Sequence, residues 1–154
     1  GPAGPFTLRA RADRIDVGSG GIVITDYKTG ANLVQLAGRA VRGEAPQLAL
    51  EAAIAAEAGF AGVEPRRVMK LRYISASGAE PPGQEFDLKT DDVPALAAAG
   101  RRGLERLIAE FDDPATPYRA LRRARFNYDY DAYAHLARVA EWGIGGGGEE
   151  GDHG

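Results

Sequence analysis

The hydrophobic pattern near the start of the chain predicts a β-hairpin. Residues 6–17 alternate loosely between apolar and polar side chains, and residues 22–25 are all β-branched. Both patterns are typical of strands. The glycine-rich run at residues 18–21 lies between them, and such a run favours the tight turn that joins two antiparallel strands.

The clearest helical segment covers residues 46–58. Pro46 opens it at a position where a missing N–H does no harm, and Gly59 closes it. The segment is apolar almost all round, which predicts a buried helix. Gln47 and Glu51 interrupt the apolar surface one turn apart on the same face, and polar groups on a buried helix need partners. For Gln47 alone, the ordinary polarity of a first helical turn is the alternative explanation.

The rest of the chain alternates between predicted strands and helices, apart from residues 31–45. These residues lack clear periodicity and are predicted to be a loop that becomes ordered over a cleft. The order of elements predicts an α/β fold with a mixed β-sheet flanked by helices. We expect one domain at residues 6–142, a flexible start at 1–5 and a disordered, glycine-rich, acidic tail at 143–154. The remaining predicted elements are a strand at 67–75, a turn region at 77–84, a short strand at 85–88, an Asp-capped amphipathic helix at 91–111, a basic segment at 116–126 and a last helix at 129–142.

Composition limits the classes of function. The 154 residues have a net charge of −3 and a hydrophobic content of 44%, which are ordinary for a single globular domain. The charge gives no global signal for nucleic acid, so any contact with DNA requires local patches. The absence of cysteine excludes disulfides, thiol chemistry and cysteine-ligated metal clusters. No apolar run reaches the ~20 residues that span a bilayer and no signal peptide is recognisable, so we expect a cytoplasmic protein without membrane contact.

A charged cluster is predicted at the end of the second hairpin strand. Asp26 and Lys28 point to one face because successive side chains of a strand alternate, and Tyr27 points to the other. A carboxylate and an ammonium group at the end of an apolar strand are costly to bury without a function. If Asp13 lies across the hairpin from Asp26, two carboxylates converge, and such hard oxygen ligands suit Mg²⁺ or Mn²⁺. Lys28 would then orient a water molecule or stabilise developing negative charge.

Three blocks of sequence carry a resemblance to a known family. They read Arg11-Ala-Asp13-Arg-Ile-Asp16, Ile24-Thr-Asp26-Tyr-Lys28-Thr-Gly30 and Pro46-Gln47-Leu-Ala-Leu-Glu51. A lone Asp-x-Lys is weak evidence, but the three blocks in this order, with the glycine turn, are much more specific. They resemble the PD-(D/E)XK nuclease superfamily, and most of all the RecB-type nuclease domain at the C-terminal end of AddB, a subunit of the AddAB helicase–nuclease.

The resemblance implies a restriction-endonuclease-like α/β core and an exonuclease that hydrolyses DNA phosphodiesters during double-strand break repair. It implies Mg²⁺ or Mn²⁺ as the cofactor, held by Asp13, Asp26 and the backbone carbonyl of Tyr27. Lys28 would position the attacking hydroxide, and Gln47 would orient that hydroxide or the phosphate. The predicted catalytic residues are therefore Asp13, Asp26, Lys28 and Gln47. The expected partners are DNA and an AddA-like helicase–nuclease subunit.

The chain also departs from the family pattern. The family has a Tyr one turn after the Gln, whereas Glu51 stands here, so Glu51 is predicted only as a neighbour of the catalytic residues. Some AddB domains carry a four-cysteine iron–sulfur cluster, which this chain cannot bind. The family also has a helix before the first strand; because this sequence begins almost at that strand, we expect the helix to be missing or to be supplied by a preceding region of a longer protein. We therefore expect the C-terminal piece of a larger subunit, with low activity by itself. The alternatives are a non-catalytic DNA-binding or scaffolding module of the same fold and a stand-alone exonuclease.

Arginine dominates the positive charge and suits phosphate recognition. The candidate contacts with DNA phosphates are Arg11, Arg14, Arg122 and Arg123, and a solvated arginine-rich surface is the alternative. Asp16 competes with Asp13 for the ligand role, but the family spacing matches Asp13 better. Asp16 is therefore predicted to be a turn residue or a neighbour of the site.

Overall fold

In the part of the chain that the structure describes, four strands form one mixed sheet in the order in which they occur along the chain, and three helices accompany it. A computed structural model describes residues 3–30, 32–78 and 80–117. The α/β fold with a mixed sheet flanked by helices is the fold that the pattern predicts. The strands are β1 (Arg14–Gly18), β2 (Gly21–Lys28), β3 (Val68–Ser75) and β4 (Glu85–Asp87), and the helices are α1 (Leu33–Val41), α2 (Gln47–Glu57) and α3 (Val93–Phe111).

The glycine turn between β1 and β2 has a steric cause. The antiparallel register pairs Gly18 with Gly21 and closes the hairpin with two residues. Gly21 has a φ of +142°, and a Cβ atom there would lie 2.3 Å from the backbone oxygen of Arg67. That same oxygen accepts a hydrogen bond of 2.9 Å from the N–H of Ile22. Glycine is therefore required where the hairpin meets the segment that leads into β3.

The first strand is shorter than the prediction. It begins at Arg14, whereas the alternating pattern predicts a strand from residue 6. The N–H of Tyr27 donates to Oδ2 of Asp13 at 3.0 Å. A side chain therefore accepts the hydrogen bond that a backbone carbonyl of a longer β1 would have accepted. Phe6 is 57% exposed. Without a neighbouring strand, alternation alone does not form a sheet.

The prediction of a loop over residues 31–45 is wrong, because α1 lies there. The side chain of Asn32 caps the helix by accepting from the N–H of Gln35 at 3.2 Å. Leu33 and Ala40 are buried against the rest of the core. The apolar residues of α1 recur at the three- and four-residue spacing of a helix, a short repeat that the prediction missed: Leu33, Leu36, Ala37 and Ala40.

The connection between β2 and β3 places α2 against the sheet. These strands are parallel, and both α1 and α2 lie in the crossover between them. The observed helix α2 confirms the predicted buried helix. Its small residues permit close packing on α3: a Cβ atom at Gly100 would lie 3.0 Å from the Cβ atom of Ala49. The largest fully buried side chains are Tyr73, Ile22, Ile24, Leu48, Leu71 and Thr25.

Several predicted segments cannot be compared with the structure. The helix at 129–142, the tail at 143–154 and most of the basic segment at 116–126 lie outside the described residues. The domain limits of 6–142 and the flexible start at 1–5 stay predictions. In the described part of the chain, no helix has both the length and the apolar character needed to cross a membrane.

Candidate active site

The site begins with an ion pair at the end of β2. Nζ of Lys28 lies 2.8 Å from Oδ2 of Asp26, and the two side chains share a face because they are two residues apart on a strand. Asp26 is only 3% exposed, whereas the side chain of Lys28 keeps 30% of its surface accessible. The buried carboxylate is therefore compensated, and the ammonium group can reach a ligand from solvent.

Gln47, in the first turn of α2, connects this pair to the helix. Its Nε2 donates to Oδ1 of Asp26 at 2.7 Å and to Oε1 of Glu51 at 3.1 Å, and its Oε1 accepts from Nζ of Lys28 at 3.3 Å. The amide orientation follows from these partners, since only its NH₂ group can donate to carboxylates. The structure thus brings together the two polar residues of the buried helix and the Asp-x-Lys pair of the strand.

Asp13 stands at the other side of the hairpin. It directly precedes Arg14, the first residue of β1, which pairs with Thr25, the neighbour of Asp26 on β2. Its Oδ2 accepts from the N–H of Tyr27 at 3.0 Å, which holds the carboxylate at the end of β2. The hairpin therefore places both predicted carboxylates at one end, as the sequence pattern suggests.

Glu51 lies deeper in the cluster than its predicted role implies. It is 3% exposed, and its Oε2 has no hydrogen-bond partner among the described residues. Burial raises the pKa of Glu51, with further upward contributions from the charges of Asp26 and Asp13. The hydrogen bond from Gln47 and the charge of Lys28 oppose the rise in this pKa. Glu51 is thus electrostatically coupled to the three charged residues that are predicted to be catalytic, Asp13, Asp26 and Lys28.

Tyr73 is a neighbour of the site that sequence reasoning missed. It lies on β3 opposite Asp26 in the parallel register and is 1% exposed. Burial, followed by the negative charges of Asp26 and Glu51, raises the pKa of Tyr73 to about 12. In the sequence Tyr73 is one apolar position of a strand. Its neighbours depend on how β3 aligns with β2, and the sequence pattern carries no signal for that register.

Other predicted residues lie apart from the cluster. Asp16 pairs in register with Val23, so it faces away from Asp26, and its carboxylate binds Arg14 at 2.9 Å. A guanidinium nitrogen of Arg14 also approaches the hydroxyl of Tyr27 at 3.4 Å on this opposite face. Arg11 is exposed near the start of β1. The remaining two candidate phosphate contacts, Arg122 and Arg123, lie outside the described residues.

A comparison with known protein families identifies the superfamily of the chain. A model of the PD-(D/E)XK nuclease superfamily matches residues 1–125, which is most of the chain. The chain belongs to the PD-(D/E)XK nuclease superfamily. No curated protein and no solved structure matches the chain. The family match makes DNA the implied substrate and hydrolytic cleavage the implied reaction.

Nucleases of this superfamily usually use divalent metals such as Mg²⁺, and the residues at the site fit such an ion in chemistry. Asp13, Asp26 and Glu51 offer carboxylate oxygens, and Oε2 of Glu51 is buried without a hydrogen-bond partner among the described residues. As the side chains stand, no three acidic or histidine groups in the described ranges are arranged to hold a metal. Gln47 separates two of the carboxylates by donating to both.

Proposed function

We propose that this chain is a divalent-metal-dependent deoxyribonuclease with Asp13, Asp26, Lys28 and Gln47 as its catalytic residues. The observation that carries the proposal is the ion pair of the buried Asp26 with the accessible Lys28, which Gln47 bridges from the neighbouring helix. The arrangement combines an acidic group for a hard cation, an ammonium group for phosphate charge and an amide for hydrogen bonding. Burying the Asp26 carboxylate is costly, and a structural role does not require it.

Each residue has a task that follows from its place. Asp13, Asp26 and the backbone carbonyl of Tyr27 would hold Mg²⁺ or Mn²⁺. When bound, such an ion supplies Lewis acidity to the phosphate and lowers the pKa of a coordinated water molecule. Lys28 approaches from the accessible side and stabilises the negative charge that develops on the phosphate oxygens. The carbonyl of Gln47 accepts from Lys28 and so keeps its ammonium group in place.

We further propose that the enzyme is an exonuclease that works in the cytoplasm beside an AddA-like helicase subunit, processing DNA ends for double-strand break repair. The three sequence blocks that resemble the nuclease domain of AddB support this more specific role. Arg11 is exposed close to Asp13 in the sequence and is suited to contact a DNA phosphate. Arg14 is a weaker candidate for that contact because Asp16 already binds it.

The test is cleavage of labelled single-stranded and duplex DNA in Mg²⁺, in Mn²⁺ and in EDTA. We expect metal-dependent cleavage by the unaltered chain, and a loss of about 100-fold or more in Lys28→Ala and in Asp26→Ala. Lys70→Ala and Asp87→Ala are matched controls, because this exposed pair, 2.7 Å apart, joins β3 to β4 outside the site. Both controls should cleave at the rate of the unaltered chain.

The outcomes separate the alternatives. Equal cleavage by the site variants and their controls would contradict the proposed site. A folded chain that binds DNA without cutting it, with or without an AddA-type helicase, would indicate a non-catalytic module. Cleavage that increases when the helicase is added would support the helicase-coupled role, and full activity of the chain alone would support a stand-alone exonuclease.

A further inference from the structure

The proposed catalytic roles do not explain why the carboxyl group of Glu51 is buried. Its carboxyl group is almost fully buried, and its Oε1 accepts one hydrogen bond, from Gln47. Its Oε2 has no hydrogen-bond partner among the described residues. A buried carboxylate oxygen without a partner is costly, because folding removes its hydrogen bonds to water and no other hydrogen bond replaces them.

The surroundings of Glu51 make this cost greater. Asp26 and Asp13 are close enough for their negative charges to act on it, and Lys28 forms its ion pair with Asp26. Between Asp26 and Glu51 lies the NH₂ group of Gln47, which donates to one oxygen of each carboxylate. A neutral amide thus bridges two acidic groups, in a position where a cation would be bound more strongly.

We propose that Glu51 is a further carboxylate ligand of the divalent-metal site, and that metal binding displaces the NH₂ group of Gln47 from between Asp26 and Glu51. The inference rests on the proposed metal-dependent function and adds a ligand to it. It also gives the NH₂ group of Gln47 two roles, a bridge between the carboxylates without metal and a donor to the substrate with metal, while the carbonyl oxygen accepts from Lys28 in both.

The competing explanation makes Glu51 a neutral acid that only anchors Gln47. Glu51→Gln separates the two explanations, because the new side chain keeps a carbonyl oxygen to accept from Gln47 and loses the negative charge. If Glu51 only anchors Gln47, this substitution keeps that hydrogen bond and leaves metal binding unchanged. If Glu51 is a metal ligand, the substitution weakens metal binding. Glu57→Gln is the matched control, since it makes the same change on the same helix at an exposed residue that pairs with Arg101.

The experiment measures Mn²⁺ binding by electron paramagnetic resonance and calorimetry, without DNA, in the unaltered chain, Glu51→Gln, Glu57→Gln and Asp26→Asn. We expect Glu51→Gln to weaken Mn²⁺ binding by about tenfold or more, and Glu57→Gln to change it by less than about twofold. Thermal unfolding provides a second measurement. Without metal, Glu51→Gln should raise the melting temperature, because it removes a buried charge, and Mn²⁺ should then raise it less than in the unaltered chain.

Each result has a distinct meaning. If Asp26→Asn loses Mn²⁺ and Glu51→Gln binds it as the unaltered chain does, Glu51 is not a ligand and the proposed nuclease site stands. If both variants lose Mn²⁺ but the unaltered chain cleaves no DNA, Glu51 is a ligand and the proposed activity is wrong. If the unaltered chain binds no Mn²⁺, both proposals are overturned.

Discussion

Nε2 of Gln47 lies 2.7 Å from Oδ1 of Asp26, although the two residues are 21 positions apart in the chain. One belongs to the helix that covers the sheet and the other to the strand beneath it. The contact joins β2, from which the crossover starts, to the second helix of that crossover. The site is therefore a product of the whole α/β unit, and the hairpin alone does not contain it.

Removing the Gln47 amide should weaken both the fold and the proposed activity. Gln47→Ala leaves two buried carboxylate oxygens, on Asp26 and Glu51, without their shared donor. We expect the free energy of unfolding to fall by about 1–3 kcal/mol at neutral pH, measured by urea denaturation. Gln35→Ala, at an exposed position of α1, should change it by less than about 0.5 kcal/mol. Equal stability of the two variants would mean that the amide bridge contributes nothing.

The hairpin turn provides a test of backbone strain. Gly21→Ala forces a residue with a Cβ atom into a φ of +142° and against the backbone oxygen of Arg67. We expect the free energy of unfolding to fall by about 2 kcal/mol or more, measured by urea denaturation. At Gly20 a Cβ atom would meet nothing within 4 Å. Gly20→Ala should therefore keep the stability or raise it by up to about 1 kcal/mol, and an equal loss in both variants would contradict the steric explanation.

Tyr73 should make stability decrease at alkaline pH. Its pKa is raised from 10.0 to about 12, so the folded chain keeps a proton that the unfolded chain releases. The contribution of Tyr73 to stability is complete below pH 10.0 and is lost as the pH rises from there towards 12. Stability should decrease by up to about 1.4 kcal/mol per pH unit in this range from this one group.

Tyr73→Phe removes the ionising hydroxyl, so the variant should lose stability less steeply over the same range. Urea denaturation at a series of pH values measures this difference. Tyr27→Phe is the control, because it removes a partly exposed hydroxyl from the neighbouring strand. A slope that is as steep in Tyr73→Phe as in the unaltered chain would show that other groups cause the alkaline decrease.

Local periodicity was sufficient to predict much of the site. Alternation along a strand places Asp26 beside Lys28, and the helical repeat places Gln47 beside Glu51. The structure has both relationships, at 2.8 Å and 3.1 Å. The convergence of strand and helix follows from the order of elements, since a helix between parallel strands must pack back onto the sheet.

What the sequence could not provide depends on long-range packing. Helix α1 has only 9 residues, so its apolar repeat covers little more than two turns, and so short a helix depends on the packing of Leu33 and Ala40 against the core. The position of Tyr73 beside Asp26 in the sheet depends on the register between two strands that are far apart in the chain. The burial of the Glu51 carboxyl group could not be predicted from a family pattern that has a Tyr at this position.

The parallel pairing of β2 with β3 is the folding step that completes the candidate site. The hairpin that holds Asp13 and Asp26 closes through a two-residue turn, and such a hairpin forms within microseconds. Gln47 reaches its position only when the crossover has folded and β3 has paired with β2, which is a slower, long-range step. We therefore expect folding to bring Asp13 and Asp26 together first and to add Gln47 to the cluster last. The proposed activity begins only with the finished sheet, so incomplete chains in the cell would leave DNA uncut.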